Sequence, residues 1–553
     1  MSGGRLGGHG NGHPPTVRPT TGAAYTDGTT THRPREERIE RGANIKGERR
    51  VKVDVCVIGT GAGGAPVAKE LAEGGMKVAM LEEGERFTTD EFSARPREMT
   101  ARLYRDAGQT ATAGNVPIVM PLGQAVGGTT LVNSGTCFRT PAAVLEMWRE
   151  RFGLDQLSPY ELDPYFRRVE RITNVVQVPP EIAGRNAEVV KRGADKLGWS
   201  GDYVWRNVRG CVGSGVCNFG CPTSAKQHTG LTYVPRAWDA GATTFTGARA
   251  RRIVTEGGRA RAVDATTSGG GRLHVEADVV IVAAGAIHTP LFLQRNGLGT
   301  KSGELGRNLA IHPATAVRAL FDEPIDMARG VPQSYFVDEF ADEGIMLEGA
   351  AGPPDYAAMS LPFAGIRHRD LMLRYQNMSQ FGLMVSDISR GSVRSRGGRV
   401  EIRYDLCRED VLTFKRGIEL LCELYAAAGA TMLYPPVEGV GEMDTRELRP
   451  VPDGIRARDL TLMAFHPLGT ARADARPAHG VVDGDLKLHG VEGVYVADAS
   501  VVPSSIGVNP QITIMALATR LAYGLLGAAP PDDEPEPESI AQPRITRPHA
   551  LTA

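Results

Sequence analysis

A glycine-rich turn set between an apolar strand pattern and a helix constrains this chain more than any other feature. Residues 59–64 read Gly59-Thr60-Gly61-Ala62-Gly63-Gly64, which places Gly59, Gly61 and Gly64 at the spacing GxGxxG. The run follows VDVCVI, opens the helical pattern APVAKELAEG and precedes a second strand pattern, KVAML. Alone the motif is weak; inside a βαβ unit of about 30 residues it marks a dinucleotide site. The glycines permit a tight turn, close approach of backbone to a pyrophosphate, and close packing of helix on strand. The helix N-terminus then offers free N–H groups and the positive end of its dipole. Pro66 falls in the first helical turn, where a missing N–H costs nothing. Glu82 closes the second strand, where a carboxylate accepts from ribose hydroxyls and repels a 2′-phosphate. FAD or NAD is therefore expected over NADP.

The chain has 553 residues, too many for one small core, and a formal net charge of −1. No basic stripe interleaves with aromatics, which argues against a nucleic-acid partner. No run reaches the roughly 18 apolar residues of a membrane span. The first residues are rich in Gly, Thr and Pro and lack the apolar core of a signal peptide, so a cytoplasmic location is expected. Residues 1–47 and 529–553 read as disordered tails, with too few apolar side chains to offset ordering entropy.

Between them, apolar β-rich runs alternate with helical patterns, which predicts an α/β fold. Residues 53–58, 77–81, 279–283 and 494–497 read as buried strands. The texture changes in the middle of the chain. Residues 400–406 alternate with period two, as a half-exposed antiparallel strand does. The following helical pattern puts Val411, Phe414, Ile418, Leu421 and Tyr425 on one face, with Cys422 at its border. The expected organisation is a discontinuous Rossmann-like FAD domain (48–140, 205–314 and 455–528). It carries an inserted α+β substrate domain with an antiparallel sheet (141–204 and 315–454).

FAD and NAD sites share the glycine fingerprint, and other segments separate them. Gly123-Gln124-Ala125-Val126-Gly127-Gly128-Thr129-Thr130-Leu131-Val132-Asn133 is followed by Cys137-Phe138-Arg139. Near the C-terminus stand His466-Pro467-Leu468-Gly469-Thr470 and, at 491–522, VEGVYVADASVVPSSIGVNPQITIMALATRLA. With VVIVAAGAIHTP at 279–290 and LGRNLAIHP at 305–313, these resemble the glucose–methanol–choline (GMC) family of FAD-dependent oxidoreductases, in the family's order. The resemblance runs from the first strand to Leu526.

It implies oxidation of a CH–OH group, with the hydride passing to flavin N5. Gly123, Gly127, Gly128, Thr129 and Asn133 would hold the pyrophosphate and flavin, and Asp498 the ribityl chain; Ala250, Gly285 and Pro510 would also border the cofactor. His466 would be the active-site base, with Asn509 its partner. Some members attach FAD through a histidine just before the position of Asn133; here that residue is Val132, so non-covalent FAD is expected. A neutral histidine is a competent base near pH 7, an asparagine can fix the substrate's angle, and a helix starting near 510 would aim its N-terminus at the reduced flavin. From spacing alone, His466 before proline also fits a turn histidine, Asn509 a helix N-cap and Asp498 a turn cap. His228 and His312 carry no role in this reading.

Seven cysteines in a chain without an export signal argue against a disulfide framework. Cys211, Cys217 and Cys221 form C-x5-C-x3-C with Pro222 after the last. Thiolates bunched on a glycine-rich loop suit iron–sulfur ligation. The run resembles a segment of some bacterial FAD-dependent sugar dehydrogenases in which three cysteines hold a 3Fe–4S cluster. It also resembles runs in fatty-alcohol-oxidase-like members, to which no cluster is assigned, so a cluster and a plain structural loop both stay open. The expected substrate is a small-molecule alcohol, bulky or long-chain, a sterol or a sugar; the acceptor is oxygen, a quinone or an electron-transfer protein. A lyase of the same fold and an electron-transfer subunit are the alternatives. Tyr335, Phe336, Met359 and Met384 fit either an apolar pocket or the core.

Overall fold

A computed structural model describes residues 36–361, 363–531 and 543–546. Its first sheet has six strands in the order Ile39–Arg41, Thr243–Thr246, Val78–Leu81, Val55–Ile58, Val279–Val282, Val494–Val496. Every pairing within it is parallel. The four strands expected from the sequence lie side by side. Val55–Ile58 and Val78–Leu81 are buried at every residue, because helices and the antiparallel strands Ala248–Glu256 and Arg259–Thr267 pack against this sheet and leave no solvent side to select polar residues. The helices Gly64–Glu73 and Gln511–Leu526 pack on each other against this sheet.

The second large sheet has nine strands and is mostly antiparallel, with Pro313–Leu320, Met378–Val385 and Ile345–Gly349 at its centre. The helix Arg408–Ala428 lies on it, with Val411, Phe414, Ile418, Leu421 and Tyr425 all buried, as is Cys422. The strand expected at 400–406 is Arg399–Arg403, half of a separate two-stranded hairpin with Ser392–Arg396. An α/β protein with a parallel nucleotide sheet and an antiparallel second sheet is thus what the chain forms.

Several segments pair outside the expected units. Ile118–Val119 and Leu462–Ala464, expected within the FAD domain, pair with each other and join the nine-stranded sheet. Short strands with one polar face carry little periodicity, and only their partners define them. The N-terminal tail ends earlier than 47: Ile39–Arg41 forms the edge of the parallel sheet, held by backbone bonds that a count of apolar side chains does not register. Residues 1–35 lie outside the described residues. Of the C-terminal tail, 532–542 and 547–553 also lie outside them. Residues 543–546 are docked: the backbone N–H groups of Arg544 and Thr546 donate to Asp338 and Asp342 at 2.9 and 2.7 Å.

Candidate active site

The central parallel strands end at one cavity of about 820 Å³, bordered by Ile58, Leu81, Ala283 and Asp498. This is the carboxyl end of the sheet, where open α/β folds place ligands. Gly59 has φ +104°, and a β-carbon there would strike the Ala283 carbonyl, so only glycine lets the turn close on the next strand. A β-carbon at Gly64 would collide with the Gly59 carbonyl and one at Gly63 with the Ala497 carbonyl, which fixes how closely the helix meets the sheet. Gly61 and Gly128 face each other as bare backbone on the cavity wall.

Buried Glu82 borders the cavity and also ties the turn together. One oxygen accepts from the Thr60 N–H at 3.1 Å and hydroxyl at 2.6 Å, the other from the Gly84 N–H at 2.9 Å. Burial raises its pKa, and these bonds oppose the rise. Asp498 accepts from the Gly285 N–H at 2.9 Å, the Thr289 hydroxyl at 2.5 Å and the Ser500 N–H at 2.8 Å. The Gly123 N–H donates to the Thr129 hydroxyl at 3.2 Å. Asn133 accepts from the Gly135 N–H at 3.0 Å and donates to Gln511 at 2.8 Å, which docks its loop on the start of the C-terminal helix. Ala250 and Pro510 border the cavity too. Gly64 and Gly127 stand behind the wall rather than on it, Gly127 against His228 and Gly230.

At the other end of the cavity His466 and Asn509 meet, the Asn509 Nδ2 lying 3.3 Å from His466 Nε2. Asn509 does not cap the helix: Pro510 is the N-cap, the helix opens at Gln511, and the amide instead reaches Glu348 Oε1 at 3.5 Å. Burial, and after it the neighbouring His312, holds His466 well below the usual histidine range, so the ring is neutral. Burial pushes the Glu348 carboxyl up to about 7, against hydrogen bonds from Asn509 and Gln333. Sequence reasoning missed two residues here. His312, at the end of LGRNLAIHP, places its Nδ1 3.3 Å from His466 Nδ1. Glu348 lies in a strand buried throughout, and its acidic residue type among apolar neighbours was the available signal. Met359 and Met384 border the cavity, whereas Tyr335 and Phe336 lie in the core.

Two of the three clustered cysteines share one partner. Arg206 donates to Cys217 Sγ at 3.2 Å and to Cys211 Sγ at 3.9 Å, while Cys221 Sγ pairs with the Thr223 hydroxyl at 3.4 Å. All seven cysteines are free thiols. Among the described residues no group of three His, Cys, Asp or Glu side chains is arranged to hold a metal ion. A buried guanidinium stands against two of the sulfurs, which fits a structural loop. Lys226 adds a second tie, donating to the carbonyls of Cys217 and Asn133 at 2.8 and 2.5 Å. The loop therefore buttresses the Asn133 segment. Changing all three cysteines to serine is expected to leave the anaerobic visible spectrum that of a plain flavoprotein; a brown shoulder in the parent, lost in the variant, would show the cluster.

Two family models match, both described as GMC oxidoreductase, over residues 100–314 and 387–518. An uncharacterised GMC-type oxidoreductase of Mycobacterium tuberculosis is 43% identical over 85% of this chain and 75% of its own. The chain belongs to the GMC oxidoreductase family. A long-chain-alcohol oxidase of Arabidopsis thaliana is 27% identical, over 85% of this GMC oxidoreductase and 66% of the plant protein. Pyridoxine 4-oxidase from Mesorbium loti shares the fold, with TM-score 0.65 at 19% identity, over 86% of this chain and 99% of that one.

GMC oxidoreductases bind FAD, and the residues of this one fit it. A bare-glycine floor, a helix N-terminus and two buried carboxylates line one continuous cavity that ends at His466 and Asn509. No helix among the described residues is long and apolar enough to cross a membrane.

Proposed function

We propose that this GMC oxidoreductase oxidises the CH–OH group of an apolar alcohol, long-chain or bulky, held against non-covalent FAD. The observation that carries this reading is the pairing of His466 with Asn509 at the far end of a cavity whose near end fits a dinucleotide. FAD, when bound, supplies the acceptor for the hydride of the alcohol carbon, which carries both electrons. The chain's own residues hold the substrate. His466 and Asn509 grip the alcohol oxygen and fix its angle. Glu348 and His466 are the groups at this end able to hold the hydroxyl proton. Leu383, Met384, Met463 and Phe465 border the same cavity, and apolar walls of this kind select a hydrocarbon over a sugar. The long-chain-alcohol oxidase relative agrees with that preference. Val132, buried and apolar, offers no atom for a covalent bond to the flavin.

Anaerobic mixing with a long-chain primary alcohol is expected to bleach the flavin, and glucose to leave it oxidised. A flavin that stays oxidised with every alcohol tried would support the lyase alternative and overturn this reading.

A further inference from the structure

The docked segment 543–546 fills a notch between the nucleotide half of the fold and the nine-stranded sheet. Ser505, Ile506 and Gly507, from the loop that leads to Asn509, form one side of it. Ala341, Ile345 and Met346, from the strand Ile345–Gly349 and the turn before it, form the other. Ser386 and Ser505 link the two sides, their hydroxyls 3.3 Å apart. Ile545 lies in this notch and packs against the core that contains Val144 and Ile506. Gly507 has φ +74°, and a β-carbon there would lie 3.0 Å from Ile545 Cδ1. Glycine at 507 thus makes the turn and leaves room for the isoleucine.

The backbone of the segment is fully accounted for. The Arg544 N–H donates to Asp338 at 2.9 Å, the Ile545 N–H to the Pro543 carbonyl at 2.8 Å and the Thr546 N–H to Asp342 at 2.7 Å. The Thr546 hydroxyl donates to the second oxygen of Asp342. Pro543 is buried and has no N–H to satisfy. A stretch resting loosely on the surface would leave these donors to water; here each has a protein acceptor, which fixes the register.

The loop that Ile545 touches also supports the active site. His312 Nε2 accepts the N–H groups of Ile506 at 3.0 Å and Gly507 at 3.2 Å. His312 has φ +45°, in the left-handed region that a side chain rarely adopts, so its place depends on the neighbours that hold it. Ile545 meets Gly507, Gly507 meets His312, and His312 stands 3.3 Å from His466.

We propose that residues 543–546 are a strap of this chain that docks in the notch, joins the two halves of the fold and braces the loop Ser505–Gly507 on which His312 rests. One apolar side chain and bonds to two carboxylates hold it, few enough for it to open without unfolding either half. Release of the strap loosens the loop and lowers turnover, while FAD stays bound.

Hydrogen exchange on the FAD-loaded protein tests this without any substrate. Deleting residues 532–553, or changing Ile545→Asp in the full chain, should speed exchange at the Ile506 and Gly507 amides about 10-fold and leave the helix Gln511–Leu526 unchanged. A peptide of residues 540–550, added to the deletion variant at about 1–10 mM to match the effective concentration of a tethered segment, should restore protection. The same peptide carrying Ile545→Asp should not. Protection in the full chain should not vary with protein concentration; a rise with concentration would place the segment in a second copy and overturn the strap.

The kinetic consequence rests on the alcohol reading, whereas the exchange result does not, so the two fail separately. In Ile545→Asp, kcat should fall about 5-fold with KM and flavin content held, and the parent peptide should recover kcat in the deletion variant. Exchange at 506 and 507 that stays within twofold of the parent after the deletion refutes the proposal, as does a loosened loop that the parent peptide fails to protect.

Discussion

Replacing His466 with alanine should lower kcat for alcohol oxidation about a thousandfold while FAD stays bound. The imidazole's hydrogen-bond neighbours are His312 and Asn509, not the glycine turn, Glu82 or Asp498, so cofactor affinity has no reason to change. Removing the ring takes away one of two groups directed at the alcohol oxygen, and the negative charge that develops there loses its stronger donor. A loss of this size is equivalent to about 4 kcal/mol of transition-state stabilisation. It should appear in kcat more than in KM, because the charge is present in the transition state and not in the bound alcohol. Stopped-flow bleaching of the bound flavin measures it directly. A variant that reduces its flavin within 10-fold of the parent rate would remove His466 from the chemistry and leave Asn509 without a partner in it.

Asp387→Ala should destabilise the protein by about 4 kcal/mol, a larger loss than any single apolar contact of the site would give. The carboxylate is fully buried and accepts from two consecutive backbone N–H groups and from the buried Tyr404 hydroxyl. Alanine strands all three donors without water. Each costs about 1–3 kcal/mol when left unpaired, and partial relaxation keeps the sum below simple addition. Tyr404→Phe, which removes one donor and leaves the other two bonds, should cost only about 1 kcal/mol. Denaturant melts of the FAD-loaded proteins compare the two. If Asp387→Ala unfolds within 1 kcal/mol of the parent, the carboxylate does not hold the strained His312 backbone in place. Because that backbone sets the direction of the imidazole, the alanine variant should also lose activity before it loses its fold.

The nucleotide half of this protein was legible because its determinants are local. Gly59, Gly61 and Gly64 stand within six residues, the strands on either side are continuous apolar runs, and Glu82 follows the second directly. The helix at 408–428 announced its buried face through its spacing. His466 and Asn509 were named through the family's motifs, and the cavity brings them together; spacing alone also fitted Asn509 as a helix N-cap, but Pro510 stands at that position and no side chain caps the helix. The cysteine run shows the converse. Three thiols within eleven residues left a cluster and a structural loop both open, because sequence proximity does not set the direction of side chains; in the fold Arg206 meets two of the sulfurs.

By itself, then, the sequence determined the parallel nucleotide fold, the cofactor class and the family, since backbone turns and strand burial depend on residues next to one another. Only the tertiary structure decided which side chains surround the reacting oxygen. His312 meets His466 across 154 positions, Glu348 meets Asn509 across 161, and Asp387 reaches the His312 backbone across 75. No period or motif links such pairs. They are set by the register of the nine-stranded sheet and by the loops that leave it.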